Sequence, residues 1–134
     1  MRILIVEDDP VSAEVLSGLL SPYGDSEVAV DGEQGFTMYQ KSLSEEEPFS
    51  LICLDIMLPK MDGQAVLQEI RSTEEAQGII KEAAAKIIMT TALSDMESVL
   101  RAVENNCTGY LVKPIMEEDL LTQLEKLGYT PPAA

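Results

Sequence analysis

The sequence predicts an α/β fold, doubly wound, with a five-stranded parallel sheet. Three features of the 134 residues carry that expectation. Short continuous apolar runs recur along the chain, and each reads as a strand buried on both faces. Segments with apolar residues at helical spacing lie between them. The links are short, so successive strands run parallel, with right-handed crossovers and helices on both faces of the sheet. The length suits one domain, and no repeat or linker divides it. The domain is expected over residues 1–128, with 129–134 as a short flexible tail.

The first strand is Arg2-Ile3-Leu4-Ile5-Val6, which runs into Glu7-Asp8-Asp9-Pro10. Asp9 suits a helix N-cap and Pro10 the first helical position. Val11, Val15, Leu16, Leu19 and Leu20 then line one face of a helix that stops at Ser21-Pro22-Tyr23-Gly24. Glu27-Val28-Ala29-Val30 alternates weakly, ends at Asp31-Gly32 and reads as an edge strand. A second helix runs from Gly32 towards Leu43, with Phe36, Tyr39, Gln40 and Leu43 on one side. Gly35 inside it marks close packing against the sheet.

Glu45-Glu46-Glu47-Pro48 leads to the third strand, Leu51-Ile52-Cys53-Leu54-Asp55. Pro59 and Asp62-Gly63 turn the chain before a third helix marked by Val66, Leu67 and Ile70. Gly78 interrupts its polar end, and Ile79 to Ala85 predicts an extra turn or short helix. Lys86-Ile87-Ile88-Met89-Thr90 is the fourth strand, running into Thr91-Ala92. Ser94-Asp95-Met96-Glu97 has capping-box form and opens a helix carrying Val99, Leu100 and Val103. Gly109-Tyr110-Leu111-Val112 is the fifth strand, ended by Lys113-Pro114. The last helix starts at Glu117-Glu118-Asp119, lines its inner face with Leu120, Leu124 and Leu127, and ends at Gly128.

Composition removes several classes of function. The net charge is −15, from 24 acidic and 9 basic residues. Direct nucleic-acid binding needs Lys and Arg to displace counterions, so it is not expected. A multivalent cation or a basic protein surface fits better, although most of the acid simply keeps a small chain soluble. No apolar run approaches the roughly 18 residues of a membrane span, and the N-terminus does not resemble a signal peptide. A cytoplasmic protein without membrane insertion is the expectation. Cys53 and Cys107 lack metal-type spacing and suit a reducing compartment. The absence of histidine removes His-based triads, His zinc sites and phosphohistidine chemistry within the chain.

In such a sheet the carboxyl ends of the strands open onto one edge, where ligands bind. That edge collects Asp8 and Asp9, Asp55, Thr91 and Lys113. Taken singly, a helix cap, a loop hydroxyl and a solvated charge explain Asp9, Thr91 and Lys113. Their convergence on one edge favours a shared site. Clustered carboxylates repel unless a cation joins them, and oxygen ligands with open water positions suit Mg²⁺. A lysine and a hydroxyl add what a transferring phosphoryl group needs. Aspartate is itself a competent phosphoryl acceptor, and Asp55 is the best-placed nucleophile.

The motifs Ile-Leu-Ile-Val-Glu-Asp-Asp-Pro, Leu-Asp-Ile-Met-Leu-Pro-Lys-Met-Asp-Gly, Met-Thr-Thr-Ala and Tyr-Leu-Val-Lys-Pro resemble the bacterial response-regulator receiver family across nearly the whole chain. The resemblance implies a CheY-like, flavodoxin-like strand order 2-1-3-4-5. It implies Asp55 as phosphoacceptor, with Mg²⁺ (or Mn²⁺) held by Asp8, Asp9, Asp55 and the Met57 backbone carbonyl. Lys113 matches the phosphoryl-contacting lysine, and Lys113-Pro114 a bond the family commonly holds cis. Thr91, before Ala92, matches the switch hydroxyl, and Tyr110 the aromatic switch position. A phosphoryl group on Asp55 would draw in the Thr91 hydroxyl, let the Tyr110 ring move and repack the face of the fourth helix, fifth strand and fifth helix.

The implied donor is a histidine kinase or histidine phosphotransfer protein. The implied output is an unidentified protein or a second copy of the chain, bound through that same face. The family reading makes the chain a switch and not an enzyme, and a stand-alone receiver is the expectation, with a receiver excised from a larger regulator or hybrid kinase as the alternative. An aspartyl-phosphate phosphatase shares much of the inventory. It wants a second acid two residues after the nucleophile, where this chain has Met57, and a cap insertion that is absent. A degenerate receiver, acting only as a binding module, fits the full site set poorly. Two departures from the family stand out: a longer 77–86 connection, and apolar Met57 and Leu93 flanking the expected path of attacking water.

Overall fold

The computed structural model describes residues 1–92 and 96–130. Five strands alternate with five α-helices: β1 (Arg2–Val6), α1 (Pro10–Leu20), β2 (Asp25–Ala29), α2 (Gly32–Ser42), β3 (Leu51–Asp55), α3 (Gly63–Ala76), β4 (Lys86–Thr91), α4 (Met96–Glu104), β5 (Gly109–Val112) and α5 (Glu117–Lys126). All neighbouring strands pair parallel in the order β2-β1-β3-β4-β5. The doubly wound order expected from the sequence is the order observed.

Two apolar cores form because strand side chains alternate between faces. Leu4, Val6, Ile52, Leu54, Ile87 and Met89 pack with the Val66, Leu67, Ile70, Val99 and Ala102 side of the molecule. Ile3, Ile5, Leu51, Cys53, Ile88 and Leu111 pack with Ala13, Leu16, Leu20, Leu120 and Leu124. The β3 strand is buried at every residue, as a central strand covered on both faces must be. The β2 edge strand buries only Ala29 and keeps its acids in water. Gly35 lies where a Cβ would stand 2.8 Å from Val6 Cγ1, so α2 reaches the sheet only because that atom is missing.

The inner face of α1 differs from the one read off the sequence. Ala13, Leu16 and Leu20 are buried, while Val11 and Val15 are exposed. The 3–4 spacing centred on a small residue beats the spacing centred on the bulkier valines, because Ala13 lets the helix lie close to the sheet. The β2 strand likewise starts at Asp25, and Val30 falls outside it and is exposed. The Ser94-Asp95 part of the capping box, Leu93 and residues 131–134 lie outside the described residues.

The longer α3–β4 connection closes on a buried clamp. Gly78, at φ +69°, lets the chain leave α3, and a single 3₁₀ turn follows at Lys81–Ala83. Glu74, 5 % exposed, accepts from the Ala85 backbone N–H at 2.8 Å and from Arg71 at 2.7 Å. Arg71 also donates to the carbonyls of Ala85 at 2.9 Å and Asn106 at 3.0 Å. The extra residues are thereby tied to the end of the sheet opposite Asp55.

Burial pushes the Cys53 thiol up to about 12. A thiol held above its ordinary value carries almost no thiolate at pH 8, and the thiolate is the reactive form. Cys53 is therefore expected to resist a thiol reagent at pH 8 in the native protein and to react fully once guanidinium unfolds it. Mass-resolved labelling with and without denaturant checks this.

Candidate functional site

Backbone register brings the site together. Val6 pairs with Leu54, so the next residues, Glu7 and Asp55, emerge side by side at the carboxyl edge. Both continue the alternation of Ile3, Ile5, Leu51 and Cys53, and so point towards the α1 and α5 side. The Glu7 N–H still bonds the Ala29 carbonyl at 3.0 Å, which keeps this residue in strand geometry. On the other side, Ile56 N–H donates to the Thr90 carbonyl at 3.0 Å and Lys113 N–H to the Thr91 carbonyl at 2.7 Å. The ladder thus carries Lys113 to the level of Asp55. The Lys113-Pro114 peptide is cis, as expected from the motif.

Carboxylate oxygens of Glu7, Asp8 and Asp55 lie within 4.8 Å of one another. Glu7 and Asp55 are 2 % and 4 % exposed, while Asp8 faces solvent. Lys113 Nζ donates to Asp55 Oδ2 at 2.9 Å and to Glu7 Oε2 at 3.0 Å, bridging the two buried acids. Asp55 Oδ1 accepts the Met57 N–H at 3.1 Å. Burial pushes the Glu7 carboxyl up, against the lowering pull of its Lys113 hydrogen bond. For Lys113, burial opposes the charge, but hydrogen bonds to Asp55 and Glu7 prevail and hold the ammonium above its ordinary value.

The structure corrects the acidic pair. Asp9 caps α1: its side chain accepts from Val11 N–H at 3.3 Å and from the Ser12 hydroxyl at 2.7 Å. Hydrogen bonding to Ser12 is the main reason its carboxyl is held below the ordinary value. The acid that joins Asp8 and Asp55 is Glu7, which the sequence reading treated as the last residue before the pair. Strand alternation, extended one residue past Val6, was the signal that could have found it. Both Asp9 roles had been expected, and capping is the one the geometry supports.

Thr91 and Tyr110 lie on the other face. Thr91 follows Ile87 and Met89 in alternation, and Tyr110 packs on the core that contains them. The Thr91 hydroxyl donates to the Ala92 carbonyl at 3.3 Å and makes no hydrogen bond to Asp55. Thr90, paired in register with Asp55, keeps a buried hydroxyl without a partner among the described residues. Met57 is exposed beside the acid it donates to.

The loop after Asp55 is tightly drawn. Gly63 N–H donates to the Ile56 carbonyl at 2.9 Å, and Asp62 caps α3 by accepting from Ala65 N–H at 2.9 Å. A Cβ on Gly63 would collide with the Asp55 carbonyl oxygen. Two buried carboxylates and one exposed one, all oxygen donors open to water on one side, fit a hard divalent cation such as Mg²⁺ or Mn²⁺.

A carboxylate held by a lysine at the carboxyl edge of a parallel five-stranded sheet, with further acids beside it, is the arrangement of an aspartate-centred signalling domain. Residues 3–125 match the response regulator receiver domain, and the chain belongs to that family. It is 34 % identical over 127 residues to the DNA-binding dual master transcriptional regulator RpaA of Synechocystis, a match covering 94 % of this chain and 48 % of that protein. The chain spans about half the length of the first curated relatives it matches. Among solved structures, the beryllofluoride-activated receiver domain of DrrB, from Thermotoga maritima, superposes with TM-score 0.72 at 30 % identity, covering 93 % of this chain and 94 % of that one. The receiver of Saccharomyces cerevisiae Ssk1, solved with the phosphotransfer protein Ypd1, shares the fold with TM-score 0.80 at 24 % identity, covering 93 % and 87 % of the two chains.

Gly63→Ala is expected to lower the unfolding free energy by about 1–3 kcal/mol, the usual cost of forcing atoms into a packed site. Urea melts against the parent protein measure it, and an unchanged midpoint would contradict the close approach described here.

Proposed function

We propose that this receiver takes a phosphoryl group onto Asp55 from a phosphohistidine donor, in a reaction that needs a divalent cation. The observation that carries the reading is the Lys113 bridge. It holds the Asp55 carboxylate in place, shielded and paired, at an edge open to solvent. Asp55 Oδ attacks phosphorus, and the bond to the donor imidazole nitrogen breaks with its electron pair returning to the ring. Lys113 offsets the charge that collects on the phosphoryl oxygens. Glu7, Asp8, Asp55 and the Met57 carbonyl would hold Mg²⁺, which supplies a further positive centre for those oxygens. The chain acts as a switch and turns over no separate substrate.

The rim suits a protein donor. Val11, Val30, Met57 and Met116 follow the carboxyl ends of strands and are all exposed. A groove of about 590 Å³ beside α1, lined by Pro10, Ala13, Gly18, Val28 and Val30 among others, continues this apolar surface. Such a surface on a chain of charge −15 favours a partner that buries apolar area over one held by charge alone. Thr91 and Tyr110 serve as the switch pair, and the α4, β5 and α5 face as the output surface for a protein or a second copy. The half-length coverage of transcriptional regulators favours a second reading of context, in which this domain is one part of a longer regulator.

Incubation with a phosphorylated histidine phosphotransfer protein and Mg²⁺ tests the proposal. Label should transfer to the parent chain and be lost in Asp55→Ala. In the same assay Glu7→Ala should raise the Mg²⁺ requirement by about tenfold or more, and Asp9→Ala should leave it nearly unchanged. Equal effects of the two substitutions would reject the assignment of Glu7. Met57 is apolar and exposed two residues past Asp55, at the position that the family resemblance sets beside the path of attacking water. Met57→Asn is expected to shorten the lifetime of phosphorylated Asp55, as read from decay after loading with a small phosphodonor.

A further inference from the structure

Gln64 lies in the first turn of α3, next to the Asp62 cap and the Gly63 close approach, and is 5 % exposed. Its amide Nε2 donates to the Ser98 carbonyl in α4 at 2.6 Å. Its Oε1 is buried without a hydrogen-bond partner among the described residues. Turning the amide over would set Oε1 against a carbonyl oxygen, so the Ser98 acceptor fixes its orientation. The result is an amide that joins the start of α3, just past the loop that follows Asp55, to α4.

The two ends of this link differ in how firmly they are held. The start of α3 is fixed by Asp62, by the Gly63–Ile56 hydrogen bond and by contact with the Asp55 backbone. The α4 helix buries only Val99 and Ala102, while Met96, Leu100 and Val103 face out. One hydrogen bond is therefore a substantial share of what holds α4. Among the described residues Oε1 meets no donor, so a displaced α4 that offers it one loses little.

We propose that Gln64 is a positioning residue: its amide tethers α4 to the phosphoacceptor loop and sets how readily α4 shifts when Asp55 is phosphorylated. The inference rests on the receiver reading given above. Within that reading, the tether makes the resting state more favourable and so raises the phosphoryl or analogue occupancy needed to move α4.

Gln64→Met, close in size and without polar atoms, removes the tether. In the unphosphorylated protein, hydrogen exchange in residues 99–104 should accelerate about 2- to 10-fold, the range one neutral hydrogen bond allows, with β1 and β3 unchanged. The beryllofluoride midpoint in Mg²⁺ should fall by a similar factor. Gln64→Glu keeps the length but presents no amide donor to Ser98, and it should show the same local exchange. Uniform acceleration with weaker beryllofluoride binding would mean that Gln64 only packs, and would overturn the proposal. Parent-like exchange in both variants would overturn it too. Failure of the parent protein to bind beryllofluoride would remove the receiver reading and the switching role, whereas exchange alone would still report on the tether.

Discussion

Two carboxylates almost withdrawn from water stand side by side at the end of this sheet, and a single ammonium makes that tolerable. Glu7 and Asp55 would repel by on the order of 4 kcal/mol at 4 Å in a medium of intermediate polarity. Lys113 bonds both at about 3 Å and cancels much of that cost. The demand this places on the fold is geometric. Lys113 directly follows β5, while Glu7 follows β1 and Asp55 ends β3, and β4 lies between β3 and β5. Only a long, unbranched side chain launched at the right height spans that gap, and the Lys113 N–H bond to the Thr91 carbonyl sets the height. Strand order, register and the choice of lysine are thus one requirement seen at three levels.

Alternation along the strands divides the labour between the two faces. The acids and Lys113 gather towards α1 and α5, whereas Thr91 and Tyr110 belong to the core shared with α3 and α4. A change of charge on one face reaches the other only around the carboxyl ends of β3 and β4. Packing is distributed to match. The α3 helix begins in a packed, capped turn, and α4 rests on two buried side chains. Under the proposed function, a tightly packed turn and a lightly packed helix would let one new dianion become a displaced surface.

Most of the fold is legible because the central strands are largely apolar runs and several helix starts carry a local signal. Asp9 before Pro10 and Asp62 before the third helix both proved to be caps. The errors arose where local signals competed. The sequence offers Asp9 two roles, and in the structure both its oxygens engage the start of α1 while Glu7 joins Asp8 and Asp55. The place of Glu7 is hard to read from sequence because a carboxylate 2 % exposed is uncommon until its lysine is placed. Val11 and Val15 went to the wrong side of α1 because bulk was weighed above the close approach that Ala13 permits. That Gln64 Oε1 and Thr90 Oγ1 find no partner among the described residues has no signature in sequence, since satisfaction depends on neighbours distant along the chain.

The Glu74 clamp separates the length of the α3–β4 connection from the geometry of the site. With the Ala85 N–H captured by Glu74 and the Ala85 carbonyl by Arg71, the entry to β4 is set by side chains of α3, not by the path the intervening residues take. The clamp thus stands between the 78–84 path and the place where Asp55 and Lys113 meet. That makes this corner the natural graft point of the molecule, a place where a reporter or a new recognition loop can be inserted while the chemistry at the opposite end of the sheet stays as it is.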